Sequence, residues 1–253
     1  MIRAHLTTTA DGPEHWLEAG RGPDVFLFPS PLIRGHTYAG LIEALSGFHV
    51  VAADAPGSGL SAPVPAPWSF EQYMEWLDSF LDTAGLRRPI VIAHSNSAMP
   101  ALLLASLRPS RLSQLILADP VGFQPRMSYL NMIARRAMDA LDEPGVTVAG
   151  TPHLLRNLAA HTRSFLTHAR ASIDADWSAY GLRVQVPTLI AWGARDKTTS
   201  FLDSMLRARE LIPHAATLIS PRGSHDWLIE RPGEFAHFVR SLPSGDASSP
   251  GAA

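Results

Sequence analysis

Six short apolar runs recur along the chain, each stopped by proline, glycine or a small polar residue. They are VFLF (25–28), HVVAAD (49–54), IVIAHS (90–95), LSQLILAD (112–119), VPTLIAWG (186–193) and ATLIS (216–220). Runs this short, with no polar alternation, read as strands buried on both faces. Most alternate with amphipathic stretches of helical spacing, such as SFEQYMEWLDSFLDTAG, where Ser69 can cap the start and Gly85 the end. Strand, helix, strand in repetition predicts an α/β fold: a mostly parallel central sheet with helices on both faces. An opening pair of strands folds back at Asp11-Gly12. From 121 to 182 the rhythm changes to helical stretches, 126–141 and 152–171, with no convincing strand. The predicted organisation is a core formed by 1–120 and 183–243, a helical insertion at 121–182, and a disordered tail at 244–253 with no apolar residue larger than alanine or proline.

Such sheets build their sites beyond the carboxyl ends of the strands. That singles out Pro29 to Leu32, Asp54 to Gly59, Ser95 to Ser97, Asp119, Asp196 and His225. Ser95 lies between a strand and a helix, with small residues at Ala93, Ser97 and Ala98 and with Pro100 in the first helical turn. A serine on so tight a turn is pushed up from the sheet, beside the N–H groups of the helix start. Taken alone it is more simply a helix cap. Asp196 and His225 taken alone are a cap and a surface histidine. Together they are three suitable residue types at three strand ends, in the order Ser, Asp, His, and that combination points to nucleophilic catalysis. Serine is a weak nucleophile without a base. His225 would take and return its proton, and Asp196 would orient the imidazole and stabilise its cation.

Over residues 1 to 243 the chain resembles the α/β-hydrolase-fold family. The resemblance rests on HWLEAGRGPDVFLF, DAPGSGLS, AHSNSA, PTLIAWGARD and GSHDWLIERPGEFAHFVRSL. It implies a helical lid at 121–182. It also implies acyl transfer rather than the carboxylate chemistry of dehalogenases or epoxide hydrolases, because a serine stands at the elbow. The elbow departs from the usual pattern in having Ala93 and Ser97 where glycines are common.

A second departure concerns the oxyanion. The resemblance places one donor at the Asn96 N–H and the other just after a His-Gly pair at the end of the third strand. Here Pro29-Ser30 replaces that pair, Tyr38 takes the place of the family's aromatic, and Pro31 falls on the donor position. Proline has no N–H. A donor from elsewhere, such as the Ser30 hydroxyl, the Leu32 N–H or His36, is one solution. Non-hydrolytic chemistry, as in a lyase or cyclase of secondary metabolism, is another. Binding without catalysis is a third.

The insertion offers Met127, Tyr129, Met132, Trp177 and Tyr180 as apolar pocket candidates, beside Pro31 and His36 after the run VFLF. Its arginines, Arg136 among them, read as solvated faces balanced by Asp139, Asp142 and Glu143. Net charge is −2, so electrostatics favours neither nucleic acid nor an anionic membrane as partner. The expected partner is a small organic molecule, with a second copy of the chain kept as a candidate. The absence of cysteine excludes disulfides, a thiol nucleophile and thiolate metal sites. No metal or cofactor is implied. The start MIRAHLTTTADG has no apolar core of a signal peptide, and no run reaches membrane-spanning length, so a cytoplasmic protein is expected.

Overall fold

A computed structural model of the chain describes residues 1–174 and 183–242. Trp177, Tyr180 and the tail at 244–253 therefore lie outside the described residues. The apolar runs form one eight-stranded sheet: β1 (Arg3–Thr9), β2 (Gly12–Gly20), β3 (Asp24–Phe28), β4 (His49–Ala53), β5 (Ile90–His94), β6 (Gln114–Ala118), β7 (Thr188–Gly193) and β8 (Ala216–Ser220). Their spatial order is β1-β2-β4-β3-β5-β6-β7-β8. β2 runs antiparallel to both its neighbours, and every other pairing is parallel.

Side chains alternate across each strand, so each run supplies two cores. Phe26, Phe28, Val51, Val91 and Leu117 point to one face. There they meet α2 (Phe70–Thr83), α3 (Ala98–Leu107) and α7 (Phe201–Leu211). Val25, Leu27, Val50, Ile92 and Ile116 point to the other, against α1 (Ala39–Ala44), α8 (Trp227–Glu230) and α9 (Pro232–Ser241). The predicted cap of α2 is present as a capping box: Ser69 accepts from the Gln72 N–H, and Gln72 accepts from the Ser69 N–H. α3 is apolar on every side because it is buried between the sheet and α2.

Between β6 and β7 stand α4 (Tyr129–Asp142), α5 (Pro144–Ala160) and α6 (Thr162–Asp174). The stretch at 152–171, read as one helix, is two, divided at His161. Core contacts hold the chain at that break. The Asn157 side chain accepts from the Gly59 N–H at 3.0 Å and donates to the Pro31 carbonyl at 3.2 Å. The His161 ring lies 3.4 Å from the Gly59 carbonyl.

Two acids read as surface counter-charges are buried instead. Asp139 accepts from the N–H groups of Lys197 and Thr198 and from the Thr198 hydroxyl, and Glu143 accepts from the Asp226 N–H at 2.8 Å. Loop N–H groups that lack strand partners need acceptors, and α4 and the residue that follows it provide them. Asp142 does pair with Lys197 at the surface, as a counter-charge should. Among the described residues no helix is long and apolar enough to cross a membrane.

Candidate active site

Ser95 follows β5 with φ at +56°, in the left-handed region that ordinary residues avoid. That turn lifts its hydroxyl off the sheet while the chain winds into a single 3-10 turn and then α3. His225, from the loop after β8, places Nε2 3.0 Å from Ser95 Oγ. Asp196, from the loop after β7, lies 3.2 Å from His225 Nδ1. Asp196 is itself fixed by the Thr199 N–H at 2.9 Å and by the Thr199 hydroxyl. All three residues are buried.

The electrostatics suit a base and its orienter. Burial alone would lower the pKa of His225, but the adjacent Asp196 carboxylate outweighs it and holds the imidazole at about 8. Burial alone would raise Asp196, yet the His225 charge and the hydrogen bonds from His225 and Thr199 keep it below the usual carboxylate range. Asp226 is next in sequence to His225. Burial works against its charge, but the Arg136 guanidinium paired with it keeps it ionised. Asp119, at the end of β6, is pushed well up by burial and then by the charge of Asp196. One of its oxygens accepts the Gly193 N–H.

On the other flank the β3 turn is tied down group by group. The Ser97 hydroxyl donates to the Pro29 carbonyl. The Ser30 N–H donates to the Tyr38 hydroxyl at 3.0 Å, and the Ile33 N–H donates to the Ser30 carbonyl at 3.1 Å. Tyr38 in turn lies 2.6 Å from His94 Nδ1, and His94 Nε2 lies 3.0 Å from the His225 carbonyl. A carbonyl only accepts, so Nε2 carries the proton and Nδ1 accepts from Tyr38. Burial holds His94 at a pKa of about 4, neutral as this relay requires.

A cavity of about 390 Å³ opens above Ser95, a size suited to a small organic ligand. Ser30, Leu32, Ser95 and His225 contribute from the sheet side. Met132, Ile133, Val146, Leu154 and Phe165 contribute from the inserted helices. Arg136 and Asp226 are its charged members, so the arginine read as solvated is turned inward. The other pocket candidates lie elsewhere. Pro31 is buried within its turn, His36 is exposed beside His153, and Met127 is half-buried ahead of α4. Tyr129, in the first turn of α4, directs its hydroxyl outward to Asp174. None of these four is among the described lining residues. Trp177 lies outside the described residues.

Asn96 contributes its backbone at the start of the helix, while its side chain donates to the His168 carbonyl at 3.0 Å and ties the elbow to α6. The sequence pattern did not reveal Ser97 as a tie to β3, the Tyr38–His94 relay, or the inward Arg136. Each depends on a partner 50 or more residues away, except that Asp226 could have been suspected from its place beside His225. His94, His225 and Asp226 bring potential metal-ligating atoms within 4.8 Å of one another. Those atoms already serve Ser95, Asp196, Tyr38, the His225 carbonyl and Arg136, so a metal would have to displace the hydrogen bonds just described.

Strand order, elbow and site together define a class, and comparison with known proteins agrees. The chain belongs to the alpha/beta hydrolase fold family, whose model matches residues 32–171. A protein of Caulobacter sp. whose name is "Putative carbamate hydrolase RutD" is 24% identical over 95% of this chain and 98% of its own length. The dihydrolipoyllysine-residue acetyltransferase component of the acetoin cleaving system from Cupriavidus necator is 36% identical over 78% of this chain and 57% of its own length. Among solved structures, a bacterial membrane phospholipase A shares the fold with a TM-score of 0.80, at 23% identity over 95% of this chain and 85% of that one.

Proposed function

We propose that the chain is a serine hydrolase that cleaves an ester, thioester or related acyl bond of a small, largely apolar molecule. The observation that carries this reading is the contact of Ser95 Oγ with His225 Nε2 at 3.0 Å, backed by Asp196, at the base of the apolar cavity. His225 takes the Ser95 proton as Ser95 attacks the acyl carbon, then delivers it to the leaving group. Water, activated by the same imidazole, releases the acid. The Asn96 N–H serves as one oxyanion donor, and α4 to α6 serve as the lid that shapes the acyl and alcohol pockets. The hydrolase name borne by the Caulobacter relative supports this class.

The test is a fluorophosphonate probe with the adduct located by mass spectrometry, followed by turnover on a panel of simple esters and thioesters. The expected results are label on Ser95, hydrolysis of short apolar esters, and loss of roughly 10⁴-fold or more in kcat for Ser95→Ala. An unlabelled Ser95, under conditions that label a control esterase, sinks the reading. Label without turnover of any acyl substrate would assign the site to acid–base chemistry instead.

A further inference from the structure

We propose that the Ser30 side-chain hydroxyl is the second oxyanion donor of this site; the proposal rests on the hydrolase reading above. Most polar groups of the β3 turn are already engaged. The Pro29 carbonyl accepts from Ser97, the Ser30 N–H donates to Tyr38, the Ser30 carbonyl accepts from Ile33, and the Pro31 carbonyl accepts from Asn157. Pro29 and Pro31 have no N–H to offer. The backbone donor that the family uses is thus missing at Pro31, and the preceding N–H is committed. The Ser30 hydroxyl remains, with no hydrogen-bond partner among the described residues, in the same cavity wall as Ser95 and His225.

Register places it correctly. β3 and β5 are parallel neighbours, with Phe28 opposite Ala93. Ser30 and Ser95 each follow two residues later, so they leave adjacent strand ends side by side, and neighbouring strands lie about 5 Å apart. The Leu32 N–H, the remaining backbone candidate, is two residues further along, at the third position of the Ser30–Ile33 turn. His36 is exposed and absent from the cavity lining. Two prolines and four hydrogen bonds fix the turn around Ser30, two of those bonds on Ser30 itself, so only the two torsions of its short side chain remain to aim the hydroxyl. This is the preorganisation that makes an oxyanion donor effective.

In the step itself, Ser95 Oγ bonds to the acyl carbon, its proton passes to His225 Nε2, and the carbonyl π pair moves onto oxygen. Ser30 Oγ–H and the Asn96 N–H donate to that oxygen and keep their protons. As the carbonyl re-forms, the bond to the leaving group breaks, and that group takes the proton from His225.

The experiment compares wild type, Ser30→Ala and Ser30→Thr in three measurements: fluorophosphonate labelling, kcat and KM on a p-nitrophenyl ester, and affinity for a trifluoromethyl ketone. The ketone forms a hemiketal oxyanion on the nucleophile. Ser30→Ala should lower kcat by roughly 10²- to 10³-fold with KM nearly constant, and ketone affinity should fall in parallel. Ser30→Thr, which keeps a hydroxyl, should recover most of both. Because the hydroxyl has no partner at rest, thermal melting of Ser30→Ala should match wild type. A kcat for Ser30→Ala within about threefold of wild type, or a rate loss without loss of ketone affinity, overturns the proposal and leaves the Leu32 N–H as donor. An unlabelled wild type overturns the hydrolase reading and this proposal with it. A labelled, active wild type with an indifferent Ser30→Ala overturns this proposal alone.

Discussion

On one flank of Ser95, β7 and β8 end in loops that deliver two side chains, Asp196 and His225, whose charges tune each other. On the other flank, β3 ends in a turn whose backbone is largely engaged and whose two prolines offer no N–H. In the proposed hydrolysis the first flank handles the proton, and the second meets the charge that develops on the substrate. The proton flank works through titration, so its strength changes with pH. The turn flank works through fixed position, so its strength depends on whether the hydrogen bonds that hold it survive. A buried neutral relay, from Ser30 N–H through Tyr38 and His94 to the His225 carbonyl, is the physical link between them.

The sharpest way to separate the flanks is Asp196→Asn. The proposed mechanism requires neutral His225, so wild-type kcat/KM should fall as pH drops through about 8, the value at which Asp196 holds the imidazole. Removing that carboxylate charge should lower kcat by roughly 10⁴-fold and move the acid limb of the pH–rate profile downward. A limb that stays in place would mean that another group sets it. Tyr38→Phe acts on the turn instead. It leaves two buried groups, the Ser30 N–H and His94 Nδ1, without partners, at a cost of about 2 kcal/mol or more in denaturant unfolding. Its acid limb should coincide with that of wild type, and a shifted limb would show that the relay carries titration across the site. The smallest effect belongs to Ser97→Ala, which removes a single tie to the Pro29 carbonyl. It should cost about 1 kcal/mol in stability and a few-fold in kcat. An unchanged melting curve and rate would show that the remaining bonds hold the turn unaided.

The same two flanks differ in how far the sequence disclosed them. Short apolar runs imply parallel strands, strand ends imply loci for chemistry, and Ser95, Asp196 and His225 are the residue types that chemistry needs. Those inferences use local pattern and order along the chain. The departure at Pro31 was also visible, since proline lacks a donor in any fold. Ser30, Leu32 and His36 were visible as candidate replacements, but a choice among them was not, because it depends on which groups of the turn other residues have engaged. Tyr38, Ser97 and Asn157 come from three separate elements, and no spacing rule links them to Ser30. Asp139 and Glu143 show the same limit. Acids on an amphipathic helix read as solvated, and only the packed fold shows loop N–H groups of 197, 198 and 226 facing them.

Asn157 has a consequence for the two loops it holds. One amide on α5 holds the Gly59 N–H with its oxygen and the Pro31 carbonyl with its nitrogen. The two loops therefore share one anchor: any displacement of α5 would withdraw that amide from the Gly59 turn and the Ser30 turn together.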